Sequence, residues 1–509
     1  MWEAMHEPGP RFNAIDDGWM EGIDNAGRVR PIGIAEALCD GAGLVSLGGS
    51  PTLVVAALRL LVAVAADALA GRKDEWSRYW DAGALPSGPI NRYLEEHHGR
   101  FELFHPRTPF LQDAAMRVDA TPLKSVAEIV PFVPTGASAV LYDRHTGLDG
   151  TNPLRLEAAE ACGWLVAAQQ FCVSGMCGRK NPETERGPVS ARAGLLVDRL
   201  LAVPTGGSLA RTVLLSMAGA LPGVNSADRP PWRRDEVVIP GPAAGPVGYL
   251  AWMMRHILLD PEPDGSVIRL KIAVDPQVDP QLDRSQMAAY DPHLIMWTLP
   301  GQQDGWRLEN YRPHQAAWRE TPALIAAAAR PGGALAAARD LADHEIGLEV
   351  FGFAVESHSK PIDHIRSRLA ARFAAGAAAV STAAKLTRTV EHALAACACE
   401  FAAGIGMLPV GAAPAVKAAV VSRVVREYYD RLGAATGRLF ADLAAAPEAA
   451  PVLTDDWRER CTAAARAALI AFASGVAPGA AALSERFKAL RRLDAALAKA
   501  ALAPTPEAP

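Results

Sequence analysis

From about Asp363 onward the chain is written largely in Ala, Arg and Leu, with apolar residues recurring at helical spacing. A stretch of that length and pattern can bury its apolar stripe only against other helices. The pattern breaks near Leu408–Pro414, Ala444–Asp455 and Ser474–Pro478, each time at a proline. Three breaks leave four long segments, which short connections would fold into an antiparallel four-helix bundle. Within 414–446, Val416, Val420, Val424, Tyr428 and Leu432 recur on one face and are expected to form a buried stripe, while the alanines allow close helix approach.

The first 362 residues have a different texture. Asp-Asp-Gly and Asn-Ala-Gly turns separate short pieces over 11–36, and Arg28–Ile32 alternates polar and apolar positions, which predicts a small sheet. Ser50-Pro51 opens a helix running to about Gly71, and further helices are expected over Ile90–His98 and Leu154–Val173. Pro, Gly and Thr break up Pro106–Pro153, and 204–310 reads as loop-rich with strands such as Ser266–Ile272. The fold class is therefore α+β: a mixed N-terminal domain with small sheets and irregular loops over 1–362, then a C-terminal four-helix bundle over 363–509.

Composition limits what this architecture can do. Of 509 residues, 50% are hydrophobic and 21% charged, the balance of a globular protein with ample core material. The formal net charge of −5 opposes coating nucleic acid by bulk attraction, so any such binding must use local basic patches or basic partner subunits. The seven cysteines read as reduced, mostly buried thiols; Cys172 and Cys177 are close, but no second pair follows at zinc-ribbon spacing. Met1–Glu7 lacks the pattern of a signal peptide, and Arg59 and Asp67 interrupt the longest apolar run, Thr52–Ala70. A buried core helix, no membrane association and a cytoplasmic location are the expectations.

No phosphate-binding loop, zinc-protease helix or nucleophile elbow occurs. Asp275, Asp279 and Asp283 recur every four residues and could hold a hard cation on a helix, the basis for an alternative reading as a metal-dependent enzyme acting on nucleotides or nucleic acid. Pro276 and Pro280 oppose that helix and favour a solvated turn. His97, His98 and His105 near Glu95 and Glu96 form a conceivable metal cluster, with a turn-capping His105 over a core phenylalanine as the plainer reading. No cofactor is expected.

Three polar loops carry the recognition chemistry. Tyr142-Asp143-Arg144-His145-Thr146-Gly147, continuing to Pro153, offers stacking and hydrogen-bonding groups on a backbone that glycine and proline keep irregular, and a solvated surface loop is the alternative. Arg179 and Lys180 lie beside glycines that admit close approach of a phosphate, or form a solvated pair. Glu356-Ser357-His358-Ser359-Lys360-Pro361 is a polar turn that could wedge against a base pair, or an interdomain connector.

In this order, these segments resemble the large subunit of the type I-E CRISPR surveillance complex, Cascade, the CasA family. The resemblance spans essentially the whole chain. Its carriers are Phe12–Trp19, Phe101–Gln112, the Tyr142–Gly147 loop, the Gly175–Gly178 loop, Arg211–Leu215 and the terminal helices. It implies a noncatalytic subunit that senses the protospacer-adjacent motif in double-stranded DNA, starts strand separation towards an R-loop and docks a helicase-nuclease effector. The implied partners are guide RNA, target DNA, the other Cascade subunits and that effector. Carried over by position, Tyr142, Asp143 and Arg144 open the loop at the guide-RNA handle, with Tyr142 stacking on a base. Gly175, Met176, Cys177 and Gly178 match the glycine loop that approaches the motif in the minor groove. Lys271 matches a lysine finger, and Glu356, Ser357 and His358 a wedge turn, with Ser357 where the family pattern expects glutamine.

Overall fold

The computed structural model describes residues 9–133, 152–178, 189–234, 243–274, 284–298, 306–311, 333–341, 346–356, 360–369, 377–409, 411–476 and 479–502. The Pro51–Ala68 helix is the centre of the N-terminal part, and 83% of it is buried. It is the one helix among the described residues long and apolar enough to cross a membrane. Pro51 sits in its first turn, where the missing N–H leaves no hydrogen bond unmade. Ser50 holds the cap position, but its hydroxyl bonds Thr52 Oγ1 at 3.2 Å and His364 Nδ1 at 3.5 Å instead of a backbone N–H.

Both charges in this helix are neutralised inside the protein. Arg59 donates to the Asp291 carboxylate and to Gln170 Oε1, each at 2.8 Å, and the Tyr249 hydroxyl donates to the same carboxylate at 3.0 Å. Asp67 accepts from Arg233 at 2.7 Å and from the Tyr93 hydroxyl. Charges so placed persist only because each is paired and hydrogen-bonded. The other expected helices form over Ser87–His97 and Ala158–Phe171, the second opened by a reciprocal capping box between Glu157 and Glu160.

Small sheets surround these helices. Met20–Asp24 pairs antiparallel with Val29–Ile32 on one side and Leu44–Leu47 on the other. Val267–Ala273 lies between His256–Pro261 and Leu123–Ser125. A third sheet places Gly347–Glu356 between Leu200–Thr205 and Lys360–Leu369. Gly352 is required there, because a Cβ would lie 2.4 Å from the Tyr311 ring.

That third sheet corrects the sequence reading. The helical texture expected from Asp363 does not begin there: Lys360–Leu369 is a ten-residue strand, and the first long helix starts at Ala377. The strand holds its charges across the sheet. Arg366 donates to both Glu349 oxygens and to Leu47 O at 2.7 Å, and Asp363 accepts from the Tyr311 hydroxyl at 2.7 Å. Arginine looks helical by composition, but cross-strand partners decide its element here.

Among the described residues the chain divides into two compact units, the first running to Ser367 and the second continuing from Arg368. In the second, helices span Ala377–Gly404, Pro414–Ala445, Ala450–Val476 and Ala480–Leu502, and the first packs on all three others. The expected break over Ala444–Asp455 shrinks to a few residues, since Pro451 falls in the first turn of its helix. The predicted stripe holds at Val420, Val424, Tyr428 and Leu432, whereas Val416 is 46% exposed. Tyr429 joins the buried set and donates to Glu391 at 2.6 Å, while Trp457 donates to Thr387 Oγ1 at 2.9 Å.

Candidate nucleic-acid interface

The glycine loop forms one strand of a two-stranded antiparallel sheet. Gly175–Cys177 pairs antiparallel with Val189–Ala191, Gly175 opposite Ala191 and Cys177 opposite Val189. Gly175 has φ +151°, a conformation that L side chains rarely adopt, although no heavy atom within 4 Å would obstruct a Cβ. Glycine is thus needed for the backbone path and not for space. Met176 is 68% exposed at the strand centre. Burial pushes the Cys177 thiol up, against the pull of Arg255 and Lys124, so it is a protonated thiol and a poor nucleophile.

Two anchors hold this hairpin to the core. Buried Arg255 donates to Val173 O at 3.1 Å and to Arg192 O, closing both legs at the base. Val274 N–H donates to Gly178 O at 2.9 Å, tying the far end to the strand Val267–Ala273. Arg179 and Lys180 lie outside the described residues.

The polar turn after Glu356 joins adjacent strands of one sheet, so it is no interdomain connector. Ser357, His358 and Ser359 lie outside the described residues, and Glu356 and Lys360 end the flanking strands. Near the turn, Asp198 stands at φ +58° and accepts from Val355 N–H at 3.0 Å through its side chain, while its own N–H donates to Phe353 O at 2.9 Å.

Tyr142, Asp143, Arg144, His145, Thr146 and Gly147 also lie outside the described residues, but the path on either side is fixed. Before the loop, Phe132 at φ +70° sets its ring edge-on to Phe353, with centroids 5.8 Å apart, and to His364 at 4.7 Å. After it, Leu156 exchanges backbone hydrogen bonds with Val267 at 2.8 and 3.0 Å.

Phe353 therefore links the roots of all three loops. It is fully buried, meets Phe132 ahead of the Tyr142 loop, meets Phe171 ahead of the glycine hairpin at 5.6 Å, and lies three residues before Glu356. Phe132 and Phe171 are thereby held on one aromatic knot with Phe353, from which each is more than a hundred residues distant in sequence. Sequence reasoning missed Phe353, Arg255 and Asp198; the apolar run Val350-Phe351-Gly352-Phe353-Ala354 was the available signal for the first, being the mark of a buried strand.

Lys271 is corrected. Its ammonium donates to Asp119 O at 2.7 Å, Met116 O at 2.9 Å and Arg117 O at 3.4 Å, so all three protons are engaged. It pins the 116–119 turn to its strand and does not project as a finger. Lys271→Met is expected to lower the melting temperature, by about 1–3 kcal/mol of stability, as three carbonyls lose a charged donor. An unchanged melting temperature with weakened DNA binding would restore the finger role.

The other chemical candidates resolve into structure. His105 Nδ1 accepts from Thr108 N–H at 2.9 Å and Arg107 N–H at 3.3 Å, a turn cap whose burial pushes its pKa down. His98 bonds Asp16 at 2.7 Å, and His97 lies edge-on to Tyr93. Asp275, Asp279 and Asp283 lie outside the described residues. Among the described residues no group of three or more His, Cys, Asp or Glu is placed to hold a metal ion. All seven cysteines are free, three of them buried and four half-buried.

Two of the motifs that carry the family resemblance meet in space. Asn13 in Phe12–Trp19 donates from its side chain to His98 O at 3.0 Å and Glu102 Oε1 at 3.3 Å, and Leu103 N–H donates to Phe12 O at 2.8 Å. Gln112, closing the second motif, donates to Leu103 O at 2.6 Å and accepts from Leu259 N–H at 2.8 Å. These motifs are scaffold, joining the first residues to the Phe101–Gln112 turn.

Comparison with known proteins agrees with this architecture. A crystal structure of CasA from Thermus thermophilus superposes with a TM-score of 0.76 at 23% identity, covering 96% of this chain and 100% of that one. A chain of a structure described as a CRISPR RNA-guided surveillance complex superposes with a TM-score of 0.69 at 18% identity, over 96% and 99%. The curated CRISPR-associated protein CasA/Cse1 of Thermus thermophilus is 30% identical over 263 residues, a match spanning about half of each protein, 50% of this chain and 50% of the relative. The family model described as CRISPR-associated protein Cse1 matches residues 13–468, and the chain belongs to that family.

Proposed function

We propose that this protein is the large subunit of a type I-E Cascade complex, a noncatalytic component that reads the protospacer-adjacent motif in duplex DNA, promotes R-loop formation and docks the helicase-nuclease effector. The observation that carries the reading is the Phe353 knot, which roots the Tyr142 loop, the glycine hairpin and the Glu356–Lys360 turn on one set of packed rings. Family membership supports it, as does likeness to a chain of an RNA-guided surveillance complex. The assignment divides the labour. Tyr142 stacks on a base of the guide-RNA handle, with Asp143 to Gly147 ordering the loop around it. The hairpin Gly175–Gly178 brings backbone and the exposed Met176 side chain to the motif, and the turn between Glu356 and Lys360 enters the duplex beside it. Minor-groove readout of this kind separates few base pairs, so tolerance of several motifs is expected.

Arg179 and Lys180 supply the cationic contacts that an acidic chain needs locally. Replacing both with alanine in the assembled, guide-loaded complex is expected to weaken binding to motif-containing duplex and to flatten the plot of log affinity against log salt by about 1–2 units. Affinity and slope both unchanged at physiological salt would remove the pair from the interface.

A further inference from the structure

The N-terminal unit carries a cleft whose lining residues belong to none of the three loops. Its volume is about 440 Å³, and it opens between the small sheet around Met20–Asp24, the start of the Pro51–Ala68 helix and the first turns of the Ala158–Phe171 helix. The indoles of Trp19 and Trp164, both half-buried, and the side chain of Leu53 make its walls apolar. Gly163 lies beneath the Trp19 ring, where a Cβ would be in ordinary contact with the indole at 3.9 Å and with Leu53 at 3.5 Å.

The charge in the cleft is of one sign. Glu21 and Glu160 line it, and neither Lys nor Arg is among its lining residues. Glu160 is half-committed, accepting the Glu157 N–H at 3.1 Å in the capping box. The Glu21 side chain is exposed, and its carboxylate makes no hydrogen bond or ion pair among the described residues, while its backbone carbonyl accepts from Gly48 N–H at 2.8 Å. Its carboxylate lies over Gly48, where a Cβ would come within 2.7 Å of Oε2. The adjoining strand Leu44–Leu47 pairs with Met20–Asp24, and its Leu47 O accepts from Arg366 at 2.7 Å.

We propose that this cleft is a docking site for an extended segment of a partner protein that presents an apolar side chain next to a lysine or arginine. The apolar group enters between Trp19 and Trp164, and the cation reaches Glu21 and Glu160. Two carboxylates with no cation beside them repel a nucleic-acid backbone, so the occupant is a protein and not the guide or the target. The site shares no lining residue with the three loops, and its failure would leave the proposed DNA-reading role untouched.

The test uses the full chain labelled with 5-fluorotryptophan, the Trp19 and Trp164 resonances being assigned with Trp19→Phe and Trp164→Phe. Acetyl-Leu-Arg-Leu amide is expected to shift both resonances saturably, and acetyl-Leu-Glu-Leu amide is not. Glu21→Gln should weaken the basic peptide about five- to tenfold with an unchanged melting temperature, as should Glu160→Gln, whose amide oxygen keeps the capping box. No shift, an equal response to the acidic peptide, or undiminished affinity in both variants would overturn the proposal. So would self-association of the free chain abolished by Glu21→Gln, which would assign the cleft to a second copy.

Discussion

Phe353→Ala is expected to cost about 3–5 kcal/mol of stability, the usual loss for deleting a buried phenyl ring, and to loosen three distant loops at once. The ring touches Phe132 and Phe171 and lies in the strand that ends at Glu356, so its removal leaves a cavity shared by all three roots. Hydrogen exchange is the discriminating measurement. Protection should fall together at Phe132–Val133, at Cys172–Gly178 and at Ala354–Glu356. Loss confined to one of them would mean that the rings are neighbours without being a common support. In the guide-loaded complex, Phe353→Ala should also reduce discrimination between duplexes with and without the motif, more than Phe353→Leu, which fills most of the space.

The second large effect belongs to Arg59. Burial alone would push the Asp291 carboxyl up, but the Arg59 guanidinium, His293 and the His293 N–H outweigh it and hold the group below the ordinary carboxylate range. With the folded value depressed, the stability that Asp291 contributes is complete above the unfolded value of about 3.9 and is lost as pH falls through the lower folded value. Arg59→Met removes the pull and keeps the burial. At pH 7 it is expected to destabilise by about 3–5 kcal/mol, the cost of an uncompensated buried charge. The sign of the pH response then reverses. The folded value in the variant rises, so its deficit should shrink as the pH is lowered towards 5, where protonation removes the stranded charge. A deficit that stays constant between pH 7 and pH 5 would show that Arg59 acts through packing on Tyr249 and Gln170 and not through Asp291.

The outcomes differ between the two parts of the chain for a physical reason. Helices declare themselves through local periodicity, and the stripe through Val420, Val424, Tyr428 and Leu432 is buried as its spacing requires. Val416 is not buried, because it lies in the first turn of its helix, where the stripe has run out of partners. The strand Lys360–Leu369 was hidden by the same kind of reasoning, since Arg and Leu suit a helix until Glu349 and Tyr311 arrive from elsewhere in the chain. Lys271 shows the corresponding limit for function. A cation on a strand reads as free until the three carbonyls of the 116–119 turn are seen around it.

The sequence by itself determined the family resemblance, the α+β class, the terminal bundle and the buried nature of the Pro51–Ala68 helix, all of which rest on order, spacing and hydrophobic period along the chain. Only the tertiary structure decided that Phe132, Phe171 and Phe353 meet, that Arg255 closes the glycine hairpin, and that Lys271 is spent on backbone carbonyls. Those contacts join residues far apart in sequence. Such meetings are set by how helices and sheets pack, and no local pattern of residues encodes them.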